Sequence, residues 1–191
     1  MQIRYAVNKF MNNIEKLENT ISDINKFCNF IDKCADSENS ITLYSFLVEC
    51  QAFISKIYAS ICEFPNLETE YLSKKGKISD KLKNTRLQRF YFVSGKIKNI
   101  LGENDLYWNV FNPYKLEDDD PSQSRLSNDI AEIYDDFISS LEEFKYYNLS
   151  NEEKLDNLKN SFEIHWYDHA CKALTSISWL LYNKIDWDEN S

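Results

Sequence analysis

The stretch VNKFMNNIEKLENTISDINKFCNFI, residues 7–31, decides the fold. Its apolar side chains Val7, Phe10, Ile14, Leu17, Ile21, Ile24, Cys28 and Ile31 recur at alternating spacings of three and four. A helix turns once in about 3.6 residues, so this spacing lines them along one narrow seam, like that of a coiled coil, for about four heptads. Asn, Lys, Glu and Asp fill the other faces. The seam could meet a second copy, giving a homodimer through the 7–31 helix, or another helix of the same chain. The rest of the sequence favours the second, because its other helices also need a surface to pack on.

Working outward, Ser40 is placed to cap a second helix that carries Leu43, Leu47, Cys50, Ile54, Ile57, Tyr58 and Ile61 and stops at Pro65. A third is expected from Ser79-Asp80, with Leu82, Leu87, Phe90, Val93, Ile97 and Ile100 on one face and Gly102 at its left-handed end. Residues 103–125 are irregular. There the aromatic cluster Leu106-Tyr107-Trp108-Asn109-Val110-Phe111 is expected to plug one end of a bundle, ahead of the acidic loop Glu117-Asp118-Asp119-Asp120-Pro121. A fourth helix begins near Ser127 with Ile130, Ile133, Tyr134, Phe137, Leu141 and Phe144 inward. A fifth opens on the capping box Ser150-Asn151-Glu152-Glu153 and runs through Leu155, Leu158, Phe162, Trp166, His169, Ala173, Ile177 and Leu180. The fold class is therefore all-α: a bundle of about five amphipathic helices with an irregular aromatic/acidic connection before the fourth. One domain, 1–191, ends in a polar tail from about 186.

Composition agrees. The chain holds 3 Gly and 3 Pro, against 12 Phe, 12 Tyr and 4 Trp; turns and sheets lean on Gly and Pro, and long helices avoid them. The net charge of -9 and pI near 4.8 argue against nucleic acid and anionic membranes, and favour a basic protein partner. The densest basic stretch, Lys74 to Arg89, reads as a solvated helix face rather than an anion patch. No signal-peptide core is visible, and no apolar run approaches the roughly 18 residues of a membrane span. Five cysteines, an odd count without a Cys-x-x-Cys pair, suit reduced thiols in the cytoplasm.

The two histidines, His165 and His169, stand four apart, one helical turn, on the fifth helix. That is how a helix offers two nitrogen ligands to a divalent metal. Asp129, Glu132 and Asp136, at spacings of three and four on the fourth helix, would supply carboxylates. His165, His169, Asp129 and Asp136 are the candidate metal ligands, with Glu132 and Glu163 behind them. The competing expectation is a buried His–Asp pairing that fixes helix register. The zincin order is absent, since Trp166 follows His165. No nucleophilic triad or phosphate loop appears, and the acidic loop lacks the spacing and glycine of an EF-hand. No catalytic residue is assigned, and no cofactor is expected beyond a divalent metal.

Trp108-Asn109-Val110-Phe111-Asn112-Pro113-Tyr114, the run from Leu126 to Asp136, and Phe162-Glu163-Ile164-His165-Trp166-Tyr167-Asp168-His169-Ala170 resemble a bacterial family known as Domain of Unknown Function 5063. Phe27-Cys28-Asn29-Phe30-Ile31 and Leu67-Glu68 resemble its first two helices. The chain departs from the family at Asn112, where Asp is usual, and at Tyr167, where Gly is usual. The resemblance implies a stand-alone bacterial protein and brings no established activity. Function is thus expected to be that of a small acidic cytoplasmic protein-binding module, immunity- or antitoxin-like. The alternative is a divalent-metal-binding protein or metal-dependent enzyme built on the histidine pair.

Overall fold

From Leu17 on, the first helix, α1 (Gln2–Ala35), turns its seam into its own chain. Leu17, Ile24, Cys28 and Ile31 are buried, together with Phe27, which has no exposed surface. They pack on α2 (Leu43–Cys62), α3 (Asp80–Leu101) and α4 (Leu126–Tyr146). The computed structural model describes residues 2–36, 41–66, 80–109 and 122–184, with side chains from 12, 41, 85 and 122 onward in these stretches and up to 183 in the last. Val7 and Phe10 of the seam, the expected cap Ser40 and the acidic loop 117–121 lie outside the described side chains.

Thr42 caps α2, its hydroxyl accepting the Ser45 N–H at 3.2 Å. The helix buries Phe46, Leu47, Cys50, Ile54, Ile57 and Ile61. It ends at Cys62, short of Pro65, whose ring disfavours helical backbone in the residue before it. Gly102 adopts φ +56°, the left-handed conformation expected at the end of α3, and leads into a 3-10 turn, Gly102–Asp105.

Val110 and Phe111 of the aromatic cluster lie outside the described residues; its described part forms a strand rather than a plug. Leu106–Asn109 forms β1 and pairs antiparallel with β2 (Ser122–Arg125), in the register Leu106↔Arg125, Tyr107↔Ser124, Trp108↔Gln123 and Asn109↔Ser122. Strand side chains alternate, so Tyr107 turns towards the bundle while Leu106 and Trp108 turn out. Trp108 is 70% exposed. It plugs nothing.

Asp105 anchors this ribbon to the bundle. Its carboxylate, 1% exposed, accepts the Ser127 N–H at 2.8 Å and the Arg125 guanidinium at 3.0 Å. It thereby satisfies a first-turn donor of α4 that the Arg125 side chain leaves open. Asp105→Ala is expected to cost about 1–3 kcal/mol, because a buried N–H loses its acceptor. Urea unfolding should show a lower midpoint with an unchanged slope, and Asp105→Asn should lose less.

Asn148, at φ +49°, turns the chain from α4 into α5 (Asn151–Ser161). There the capping box forms as expected, Ser150 and Glu153 satisfying each other's backbone N–H groups. The expected single last helix is one rod in four parts: α5, a π turn (Phe162–Trp166), α6 (Tyr167–Trp179) and a second π turn (Leu180–Lys184). Trp166 has no exposed surface. It packs edge-on against Phe162 at 4.8 Å and Phe137 at 5.0 Å between ring centroids, and Phe137 in turn meets Phe27 at 5.6 Å. These rings join α1, α4 and the rod into one core. Among the described residues no helix is long and apolar enough to cross a membrane.

Candidate functional site: twin imidazole–carboxylate pairs

The π turn places the histidines. The N–H of Tyr167 reaches the carbonyl of Phe162, five residues back, so the turn holds an extra residue and shifts the face it presents. His165 sits in the π turn and His169 in the first turn of α6, their ring centroids 5.1 Å apart and their planes at 65°.

Both rings face α4, which runs antiparallel to the rod at this point. His165 Nδ1 pairs with Asp136 Oδ2 at 2.6 Å, and His169 Nδ1 with Asp129 Oδ1 at 2.8 Å. The two carboxylates lie two turns apart on α4, about 10 Å along its axis, while the histidines lie about 6 Å apart on theirs. The two Nδ1 atoms therefore lean towards opposite ends of the site. In the neutral ring, a carboxylate on Nδ1 favours the proton there and leaves the lone pair on Nε2. Neither Nε2 has a hydrogen-bond partner among the described residues. The rings are partly open to solvent, at 48% exposure of the His165 side chain and 23% of the His169 side chain.

Asp129 and Asp136 are both buried, and each has both oxygens engaged. Asp129 Oδ2 accepts the Tyr107 hydroxyl at 2.5 Å, and Asp136 Oδ1 meets Arg86 Nη2 at 3.4 Å. These aspartates thus orient imidazoles in the structure, whereas the sequence suggested them as co-ligands. Burial, with the Asp129 hydrogen bond adding to it, raises Tyr107 far above the ordinary tyrosine range, so its phenol stays a donor. The hydrogen bond to Asp136 raises His165 above the ordinary imidazole value, outweighing burial, which lowers it.

Glu132 stands on α4 between the two aspartates and is half-buried. Burial raises its carboxyl above the ordinary glutamate value; His169 and His165 pull the other way, and Asp136 and Asp135 add to the rise. Glu132 thus feels both rings, and among the described residues it is hydrogen-bonded to neither. Glu163, by contrast, is exposed and pairs with Lys159 at 3.4 Å. Among the described residues, no three His, Cys, Asp or Glu side chains stand together as a ready-made metal cage.

Several supporting residues escaped the sequence reading. Of the basic stretch Lys74 to Arg89, the lysines lie outside the described side chains, and Arg86 and Arg89 do not form a solvated face. Arg86 Nε reaches Asp135 Oδ2 at 2.9 Å and Arg89 Nε reaches Asp135 Oδ1 at 2.7 Å; Arg89 also meets Glu142 at 2.9 Å and Ser139 at 3.3 Å. Their donors are spent on α4, which leaves little for an anion. The adjacent acids Asp135 and Asp136 were a readable signal, since two carboxylates on a buried helix edge require counter-charges. Tyr107 was readable only by applying a two-residue period to a four-residue strand.

A family model described as Domain of unknown function (DUF5063) matches residues 12–183. Among solved structures, protein BF1032 from Bacteroides fragilis is similar, with a TM-score of 0.63 at 16% sequence identity. The match covers 88% of this chain and 96% of that one. At that identity the likeness speaks for the fold alone. Among curated proteins none matches the sequence.

Proposed function

We propose, from the premise that this chain belongs to the family described as Domain of unknown function (DUF5063), that its working site is the imidazole pair and that the pair binds a divalent transition-metal ion. The observation that carries this reading is the pairing of both Nδ1 atoms with buried carboxylates, which leaves two Nε2 acceptors one helical turn apart on partly exposed rings. Neutral imidazole is the commonest metal ligand, and its other nitrogen usually donates to a carboxylate or carbonyl. A purely structural pair needs no such exposed remainder. In this reading the Nε2 atoms of His165 and His169 are the ligands, Glu132 swings in as the third, and water fills the remaining positions. Two imidazoles and a carboxylate suit zinc, iron(II) or manganese. Asp129 and Asp136 hold the rings, Tyr107 and Arg86 hold the aspartates.

The test is a zinc, manganese and iron(II) titration of untagged, chelator-stripped protein by calorimetry, with melting followed in parallel. Asp129→Asn should weaken binding about 10–100-fold, because His169 loses the charge that fixes its tautomer. No heat of binding and no change in melting with any of the three ions would refute the reading.

A protein partner is the second reading, favoured by the exposed Trp108, Ile164 and Tyr167 and by the net charge of -9. Exposed aromatics are typical anchors of interfaces, and the charge selects a basic partner. In this reading the chain acts in the bacterial cytoplasm, where its unbridged cysteines stay reduced, as an immunity-like module. Pull-down from the source cell should recover a basic protein at stoichiometric level; its absence counts against the reading.

A further inference from the structure

The five cysteines divide sharply by surroundings. Cys28 and Cys50 are buried and Cys34 half-buried; burial pushes Cys28 up to about 12, Cys34 to about 11 and Cys50 well above an ordinary thiol. Those thiols are poor nucleophiles. Cys62 and Cys171 are exposed. They come from distant parts of the sequence, yet both meet one hydroxyl. Cys171 Sγ approaches the Tyr58 oxygen at 3.8 Å, and Cys62, one turn along α2 from Tyr58, stands close enough to act on the same hydroxyl electrostatically. The Tyr58 ring is held edge-on to Phe162 at 5.0 Å and to Trp166 at 6.5 Å, so the hydroxyl is a fixed point between two thiols on packed helices.

We propose that Cys62 and Cys171 are a dithiol site for oxidation by hydrogen peroxide, closing to a disulfide that ties the end of α2 to α6. One thiolate attacks a peroxide oxygen, the O–O bond breaks, and a sulfenic acid and water result. The second thiol then attacks that sulfur, displaces its hydroxyl as water and forms the S–S bond. Two thiols give up two electrons and two protons to one peroxide, and two waters leave. A disulfide needs the two Cβ atoms about 3.8 Å apart; side-chain rotation moves only the sulfurs, so closure also draws the last turn of α2, which ends at Cys62, towards α6. The link would lie two residues beyond His169, yet the inference is independent of metal binding.

The experiment treats the full-length protein with graded hydrogen peroxide, measures intact mass before and after blocking the remaining thiols, and maps non-reduced peptides. The expected result is a monomer about 2 Da lighter, free thiols falling from five to three, and a linked Cys62–Cys171 peptide that reductant releases. In Cys62→Ser the mass loss should vanish and Cys171 should stop at a sulfenic acid that dimedone traps. Independent gains of about 16 Da per oxygen on separate cysteines, or an intermolecular dimer in place of the internal link, would overturn the proposal.

Discussion

Asparagine at both His165 and His169 is expected to abolish metal uptake while leaving the fold close to its native stability. The outcome depends on which nitrogen each ring uses. Nδ1 is spent on Asp136 and Asp129 at 2.6 and 2.8 Å, so an asparagine amide, whose N–H lies near the position of Nδ1–H, keeps a donor on each carboxylate. It removes Nε2 altogether. Loss of both proposed ligands should weaken binding at least 100-fold, about 2.7 kcal/mol, and each single variant should lose a smaller part. Alanine is a poorer probe. At His169 it would strip a partner from a buried aspartate and mix a folding penalty with a binding one. If the asparagine variants bind zinc as the parent does, the ligands are elsewhere. If they instead melt far below it, the rings matter for packing rather than for binding.

Trp166→Ala should be the most destabilising single change in the described core, costing about 3–5 kcal/mol. The indole has no exposed surface and sits between Phe137 and Phe162 with Tyr58 on its edge. No neighbour can collapse into so large a void without giving up its own contacts. For a domain with a typical stability of about 5–15 kcal/mol, such a loss approaches the whole margin. The same residue directly follows His165 at the end of the π turn, so the variant should also blunt metal binding. Trp166→Phe keeps edge-to-face partners and should lose markedly less. Chemical denaturation of the three proteins side by side checks the ranking, and a Trp166→Ala loss under about 1 kcal/mol would mean that the aromatic junction does not organise the bundle.

Much of this structure was legible in the periodicity of apolar residues. The seam of α1, the inward face of α4 and the capping box at Ser150 follow from local rules, and Gly102 took its left-handed turn where the pattern ended. So did the pairing of the fourth helix with the two histidines, because an i, i+4 pair must face some neighbour and Asp129 and Asp136 edge the nearest apolar face. The π turn was invisible. Its extra residue is set by packing of Phe162 and Trp166 against rings contributed by α2 and α4, and nothing in the local sequence marks it. The β ribbon was missed for a related reason: four residues are too few for an alternating pattern to stand out against a cluster of aromatics. The ion pairs from Arg86 and Arg89 span 46 to 53 residues in sequence, and no periodicity reports contacts of that range.

A metal site on this pair requires that both imidazoles carry their proton on Nδ1 and keep Nε2 for the ligand. Long-range proton–nitrogen NMR of the histidine rings at about pH 8, before and after addition of zinc, measures this directly. The expected result is Nδ1–H tautomers for both rings in the free protein and, with zinc, a shift of both Nε2 resonances while the Nδ1 protons persist. Nε2–H tautomers, or Nε2 resonances that ignore zinc, would contradict it.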